Sequence, residues 1–98
     1  MNAGKWFAYV LLCAGGSLYR GATNDLEKRF EQHKSGKGAK YTRMHKPVKI
    51  AYFEEFDTKS EALKREKYFK SGVGREWLKN KLEEMAAGED ERRMRHGT

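Results

Sequence analysis

Residues 6–13, WFAYVLLC, are eight successive apolar or aromatic residues, and the chain has no comparable stretch. A run that short, apolar on both faces, reads as a strand covered on both sides, the centre of a sheet. The remaining elements must be arranged to cover it. Gly15-Gly16 marks a turn, and LYRGAT (18–23) reads as the returning strand of a hairpin. The turn leaves the register open. A two-residue turn at Gly15-Gly16 pairs Ala14 with Ser17 and sends Tyr9 and Tyr19 to opposite faces. A three-residue loop, Ala14-Gly15-Gly16, pairs Cys13 with Ser17 and Leu11 with Tyr19, which makes Tyr9 and Tyr19 diagonal neighbours on one face. A glycine at the last loop position suits the left-handed conformation such loops need.

Asn24 reads as a helix N-cap, with Glu27 completing a capping box. Leu26 and Phe30, four apart, give a short amphipathic helix over 25–34 that Gly36 ends. Residues 35–47 read as a basic loop closed by Pro47, the only proline, and VKIAYFEEF (48–56) as a third strand. Thr58 and Glu61 form a second capping box ahead of a helix over 59–70. A last helix, 75–86, carries Trp77, Leu78, Leu82 and Met85. The order β-β-α-β-α-α predicts an α+β fold: one small domain, residues 1–86, with a three-stranded antiparallel sheet flanked by helices. Residues 87–98 read as a charged, disordered tail.

Composition sets limits on function. Leu, Ile, Val and Phe make up 16 of 98 residues and the net charge is +7, values at which disorder has to be weighed. A 12% aromatic content argues for a folded chain. No apolar run approaches the ~20 residues of a membrane span, and residues 1–15 lack the features of a signal peptide. With Cys13 as the only cysteine, an intrachain disulfide and a cysteine-rich zinc site are excluded. A cytoplasmic protein is expected, with the oligomeric state open and a monomer favoured.

The charge is concentrated. The segment from Lys28 to Lys49 holds eight Lys and Arg against Glu31 alone, so 22 residues carry the whole net charge. Lys34, Lys37, Lys40 and Arg43 interleave there with Gly36, Gly38 and Tyr41. Cations on a flexible backbone beside a ring able to stack point to a nucleic acid rather than to a merely solvated loop.

Two further features stand out. On the 59–70 helix, Ala62, Leu63 and Phe69 define an apolar stripe, and Glu66 falls inside its arc. A carboxylate so placed must be paired, hydrogen-bonded or bound to a metal. Arg29 and His33, spaced i, i+4, share one face of the first helix and can converge on one point.

These residues resemble a known family. FAY (7–9), LYRG (18–21), then Arg29, His33, SGKGAKYTR (35–43) and SEALKRE (60–66) are similar to a GIY-YIG nuclease domain of the small stand-alone branch, over roughly residues 6–80. The resemblance implies a divalent-metal-dependent endonuclease that hydrolyses DNA by water attack with little sequence selectivity. The alternative is a non-catalytic nucleic-acid-binding domain of the same fold. Tyr9 and Tyr19 match the tyrosines of the two name-giving triplets, Arg29 the catalytic arginine, His33 a position held by histidine or tyrosine, and Glu66 the single metal-binding glutamate. Phe7 replaces the glycine that opens the first triplet, Arg20 an apolar or small residue of the second, and Ala22 a lysine of some members. Which cation replaces that lysine is left open, with Lys37 and Lys40 as the candidates. Asn80 is the nearest match to a late asparagine, although it points away from the Leu78, Leu82, Met85 stripe.

The implied chemistry is physically coherent. A lone inward carboxylate does not suit a two-metal site, but one Mg²⁺ or Mn²⁺ held by Glu66, water and substrate phosphate suits magnesium's habits. Arg29 can donate paired hydrogen bonds to the scissile phosphate. Tyr19 is the implied general base. With an ordinary phenol pKa of ~10 it needs positive charge nearby or a proton relay, and His33 is placed for the relay. Tyr9 would act behind it or donate to phosphate. Lys34, Lys37, Lys40, Tyr41 and Arg43 would bind the DNA backbone. The site requires the three-residue hairpin loop.

Overall fold

A computed structural model describes residues 4–96 of the chain, with side chains through residue 88. The elements are β1 (Trp6–Cys13), β2 (Leu18–Thr23), α1 (Leu26–Lys34), α2 (Lys40–Met44), β3 (Pro47–Phe56), α3 (Lys59–Lys70) and α4 (Gly72–His96). The expected order β-β-α-β-α-α holds, with the five-residue α2 added inside the basic loop. The chain divides into two compact units, the first ending at Lys67 and the second beginning at Tyr68.

In the first unit the antiparallel sheet has the order β2-β1-β3. The apolar run is its central strand, and Phe7, Ala8, Tyr9, Val10 and Leu11 are all buried. Pro47 opens β3 rather than closing the loop before it. It pairs with Cys13 on a strand bonded only to β1, where a residue without an N–H is tolerated.

The hairpin register is that of the three-residue loop. Leu11 pairs with Tyr19, and the Cys13 N–H donates to Ser17 O at 2.8 Å. Gly15 and Gly16 have φ of 88° and 89°, backbone conformations that side chains disfavour. Tyr9, Leu11 and Cys13 therefore share one face with Tyr19. Leu26 and Phe30 of α1 and Ile50 of β3 pack against that cluster.

Two helix starts differ from expectation. Asp25, not Asn24, caps α1: its Oδ1 accepts the Lys28 N–H at 3.1 Å. The Thr23 hydroxyl oxygen in turn accepts the Asp25 N–H, which draws the cap one residue further on. At α3, Thr58 Oγ1 accepts the Glu61 N–H as the capping box requires, but its hydroxyl proton goes to the Glu61 carboxylate.

In the second unit α4 starts at Gly72 rather than 75, with its first turn held by a Gly74 N–H bond to Ser71 Oγ at 3.1 Å. A Cβ on Gly74 would collide with the Tyr68 carbonyl, so only glycine allows this approach. The Phe69 and Trp77 rings stack at 6.2 Å. The backbone stays helical past residue 86, where the last helix was expected to end. The side chains of the tail from residue 89 on lie outside the described residues.

Candidate active site

Tyr9 is 1% exposed at the middle of β1, directly across from Gly21. A Cβ on Gly21 would fall 3.0 Å from Tyr9 Cε2 and closer still to its hydroxyl. The glycine of LYRG is thus the room in which the Tyr9 phenol lies. Tyr19, diagonal to it on β2, has its ring centroid 6.3 Å away.

α1 crosses this face and presents Arg29 and His33 one turn apart. His33 is fully buried. Its Nε2 lies 2.8 Å from the Tyr9 hydroxyl, and its Nδ1 lies 2.7 Å from Thr42 Oγ1 on α2. The Thr42 hydroxyl is 3.0 Å from the Ala39 carbonyl, to which it donates. Gly38 faces the imidazole so closely that a Cβ would fall 2.8 Å from its Cγ and Cε1. Both ring nitrogens of His33 are therefore engaged, by Tyr9 and Thr42. The Tyr19 ring meets the imidazole face at 4.9 Å.

Burial pushes the Tyr9 phenol up to about 12, and the neighbouring Tyr19 and the Glu66 carboxylate act in the same direction. Arg29 opposes them by donating a hydrogen bond to the phenol and by its charge. Tyr19, Arg29 and Glu66 are thus each within electrostatic reach of the Tyr9 phenol. Arg29 also donates to Gln32 Oε1 at 3.2 Å, which steadies the guanidinium on its helix.

Burial lowers His33 to about 4 from 6.5, with the Arg29 charge contributing, so the imidazole is neutral at pH 7. An unfolded His33 would take up a proton near pH 6.5 and the folded one only near pH 4. Its contribution to stability is complete above 6.5 and lost as the pH falls between the two. The unfolding free energy should drop by about 2 kcal/mol between pH 7 and pH 5. Urea midpoints at those two pH values measure this, and equal midpoints would contradict it.

Glu66 is half-buried on α3. Ala62 and Phe69 are fully buried, but Leu63, expected on the same stripe, is 45% exposed. The inward arc runs through Ala62, Glu66 and Phe69, and Leu63 lies 100° round the helix from Ala62. Among the described residues no three His, Cys, Asp or Glu side chains form a metal-binding cluster. One half-buried carboxylate within electrostatic reach of the Tyr9 phenol fits a hard cation that keeps most of its ligands as water and substrate oxygen.

Of the basic residues, Lys37, Lys40 and Arg43 are exposed. Lys34 pairs with Glu31 at 3.2 Å and lies over the Phe30 ring. Tyr41 is 37% exposed and its ring stacks on Tyr19 at 5.9 Å, with His45 against it at 4.5 Å. The basic segment is thus attached to the site by α2, through Tyr41 on Tyr19 and Thr42 on His33. A surface cleft beside Arg29 is also lined by Ala22, Lys28 and Gln32.

Residues 5–81 match the GIY-YIG catalytic domain. The chain belongs to the GIY-YIG family. It is 52% identical over 89 residues to a UPF0213 protein of Bacillus pumilus, covering 87% of this chain and 86% of that one. It is 49% identical over 70 residues to the UPF0213 protein YazA of Bacillus subtilis, covering 71% of each. Among solved structures it is similar to the protein EF2693 of E. faecalis, determined in solution by NMR, with a TM-score of 0.52, 40% identity and coverage of 81% of this chain and 88% of that one. These UPF0213 relatives are small stand-alone members of the GIY-YIG family, and the endonuclease superfamily implies a nucleic-acid substrate. No described helix is long and apolar enough to cross a membrane.

Within this GIY-YIG domain, sequence reasoning passed over Thr42, and it gave Gly21 and Gly38 no part in seating Tyr9 and His33. Gly38 carried a signal, a second glycine two residues after the helix-ending Gly36. Thr42 carried none.

Proposed function

We propose that this GIY-YIG protein is a divalent-metal-dependent endonuclease that hydrolyses DNA phosphodiester bonds by water attack. The observation that carries this reading is the convergence of two tyrosines, a half-buried arginine and a buried neutral histidine, with one carboxylate acting on the same phenol.

Hydrolysis requires a water to lose a proton, the scissile phosphate to be held, and the developing negative charge to be offset. Arg29, its fork oriented by Tyr9 and Gln32, holds the phosphate. Tyr19, once its own phenol proton has passed to solvent, accepts the proton of the attacking water. His33 is not its relay and acts through Tyr9 instead, since Tyr9 and Thr42 engage both its nitrogens. Glu66 would hold one Mg²⁺ or Mn²⁺. When bound, that ion supplies positive charge at the phosphate and the leaving oxygen. Lys28, which lines the cleft with Ala22 and Arg29, is, beside Lys37 and Lys40, a candidate for the cation that other members provide by lysine at the Ala22 position.

Lys37, Lys40, Arg43 and Tyr41 would hold the DNA without regard to sequence. With about four phosphates contacted, log K should fall with log salt at a slope near −3.6, and replacing Lys37 and Lys40 by Ala should flatten it by up to ~2. An unchanged slope would place the binding surface elsewhere. The activity itself is tested on labelled duplex, single-stranded and branched oligonucleotides. Products are expected with Mg²⁺ or Mn²⁺ and none with EDTA. Binding without products in any arm would leave only a binding domain.

A further inference from the structure

We propose that Thr42 is a positioning residue that fixes the tautomer of His33 and thereby the direction of the Tyr9 hydroxyl proton, so that Tyr9 meets the substrate as an acceptor. The inference rests on the nuclease reading for its consequence but not for its geometry.

Proton counting carries it. A threonine hydroxyl has one proton, and that of Thr42 is directed at the Ala39 carbonyl, 3.0 Å away. Towards His33 Nδ1, at 2.7 Å, Thr42 Oγ1 can then only accept, so Nδ1 carries the hydrogen. In a neutral imidazole Nε2 is then bare and accepts the Tyr9 hydroxyl at 2.8 Å. The Tyr9 oxygen keeps its lone pairs for Arg29, which donates to it. Every donor in the chain Arg29, Tyr9, His33, Thr42 meets an acceptor and the chain runs in one direction.

The opposite tautomer is worse satisfied. It would satisfy the Ala39 N–H, 3.5 Å from Nδ1. In exchange, the 3.0 Å contact between Thr42 and the Ala39 carbonyl would lose its proton. The Tyr9 hydroxyl proton would also lose Nε2 as its buried acceptor, 2.8 Å away. The shorter contacts decide for Nδ1–H.

Two consequences follow. Tyr9 does not donate to phosphate, because its proton is committed inwards. Its outward lone pairs instead hold the Arg29 fork and can accept a hydrogen bond from the water that Tyr19 deprotonates. The switch for this arrangement also lies on α2, between Tyr41 and Arg43, so the segment proposed to grip DNA is the one that sets the site's proton pattern.

The test is the imidazole ¹⁵N spectrum of His33 in the whole protein, without DNA or metal. The parent should show Nδ1 protonated and Nε2 bare, unchanged from pH 7 down to pH 5. An Nε2–H tautomer, or a titration centred near 6.5, would overturn the proposal. Thr42→Val keeps the shape but cannot accept, so the Nδ1–H tautomer should be lost. Cleavage kcat should fall about 10- to 100-fold, the usual cost of removing an orienting partner, with DNA affinity retained. Thr42→Ser should restore both the tautomer and most of kcat. A Thr42→Val protein with the parental tautomer and kcat would also overturn it. Should Thr42→Val fail to fold, the parent spectrum and Thr42→Ser still decide. A parent protein that shows the tautomer but cleaves nothing would sink the nuclease reading and leave the tautomer assignment standing.

Discussion

Glu66→Gln should fold and bind DNA as well as the parent, while cleavage falls by ~10² or more, as typically follows loss of one principal electrostatic stabiliser. The substitution keeps the shape and one hydrogen-bonding oxygen and removes the charge that would hold a divalent ion. Glu66 shares the inward arc of α3 with the fully buried Ala62 and Phe69. A glutamine is tolerated there at least as well as a carboxylate, because a neutral amide costs less to desolvate. Without metal the variant should bind DNA slightly better, since one repulsive charge near phosphate is gone. Loss of the Glu66 charge also removes one of the influences that raise the Tyr9 phenol. The measurements are single-turnover cleavage rates, a DNA titration with and without Mg²⁺, and a thermal melt. Parental cleavage together with a lower melting temperature would make Glu66 a structural partner and nothing more.

Arg29→Ala should lose a similar factor in cleavage but, unlike Glu66→Gln, should also weaken DNA binding, because its proposed partner is the phosphate itself. Arg29 donates to the Tyr9 phenol and to Gln32, so its fork is held from two sides before substrate arrives. Removal also takes away the one influence that lowers the Tyr9 pKa. A lysine at 29 keeps the charge but not the planar fork, and should restore binding better than cleavage. Unchanged affinity in Arg29→Ala would remove the phosphate from its role. Tyr19→Phe gives the complementary pattern, with cleavage lost and binding retained.

Much of this arrangement could be read in the sequence because it follows from local periodicity. WFAYVLLC fixes the central strand. The hairpin register stays open between a two- and a three-residue turn in the residues themselves, and the three-residue loop ending at Gly16 puts Tyr9 and Tyr19 on one face. The i, i+4 spacing brings Arg29 and His33 to the same face of α1, and the helical angle places Glu66 inward. The errors have physical causes. Leu63 is apolar, but its angle from Ala62 turns it towards solvent, and apolar character was given more weight than angle. Asp25 outcompetes Asn24 as a cap because Thr23 fixes its backbone N–H, a detail that composition does not carry. α2 has no side-chain cap and only five residues, too few to be stable alone. Its helix is held by the buried Thr42 on His33 and by Tyr41 on Tyr19, long-range contacts without a local signal. For the same reason Thr42, and the approach of Gly38 to His33, stayed out of sight. The last helix was expected to end at residue 86, but a glycine at 88 costs only about 1 kcal/mol within a helix otherwise built of good formers, and α4 continues through it.

The central claim, metal-dependent hydrolysis of DNA, is tested most directly by incubating the purified protein with supercoiled plasmid in Mg²⁺, Mn²⁺ or EDTA and then treating the product with DNA ligase. Water attack with a 3′ oxygen leaving gives 5′-phosphate and 3′-hydroxyl ends, so open circles should form with either metal, be absent in EDTA, and be resealed by ligase. Plasmid that stays supercoiled in both metals, or nicks equally in EDTA, would contradict it.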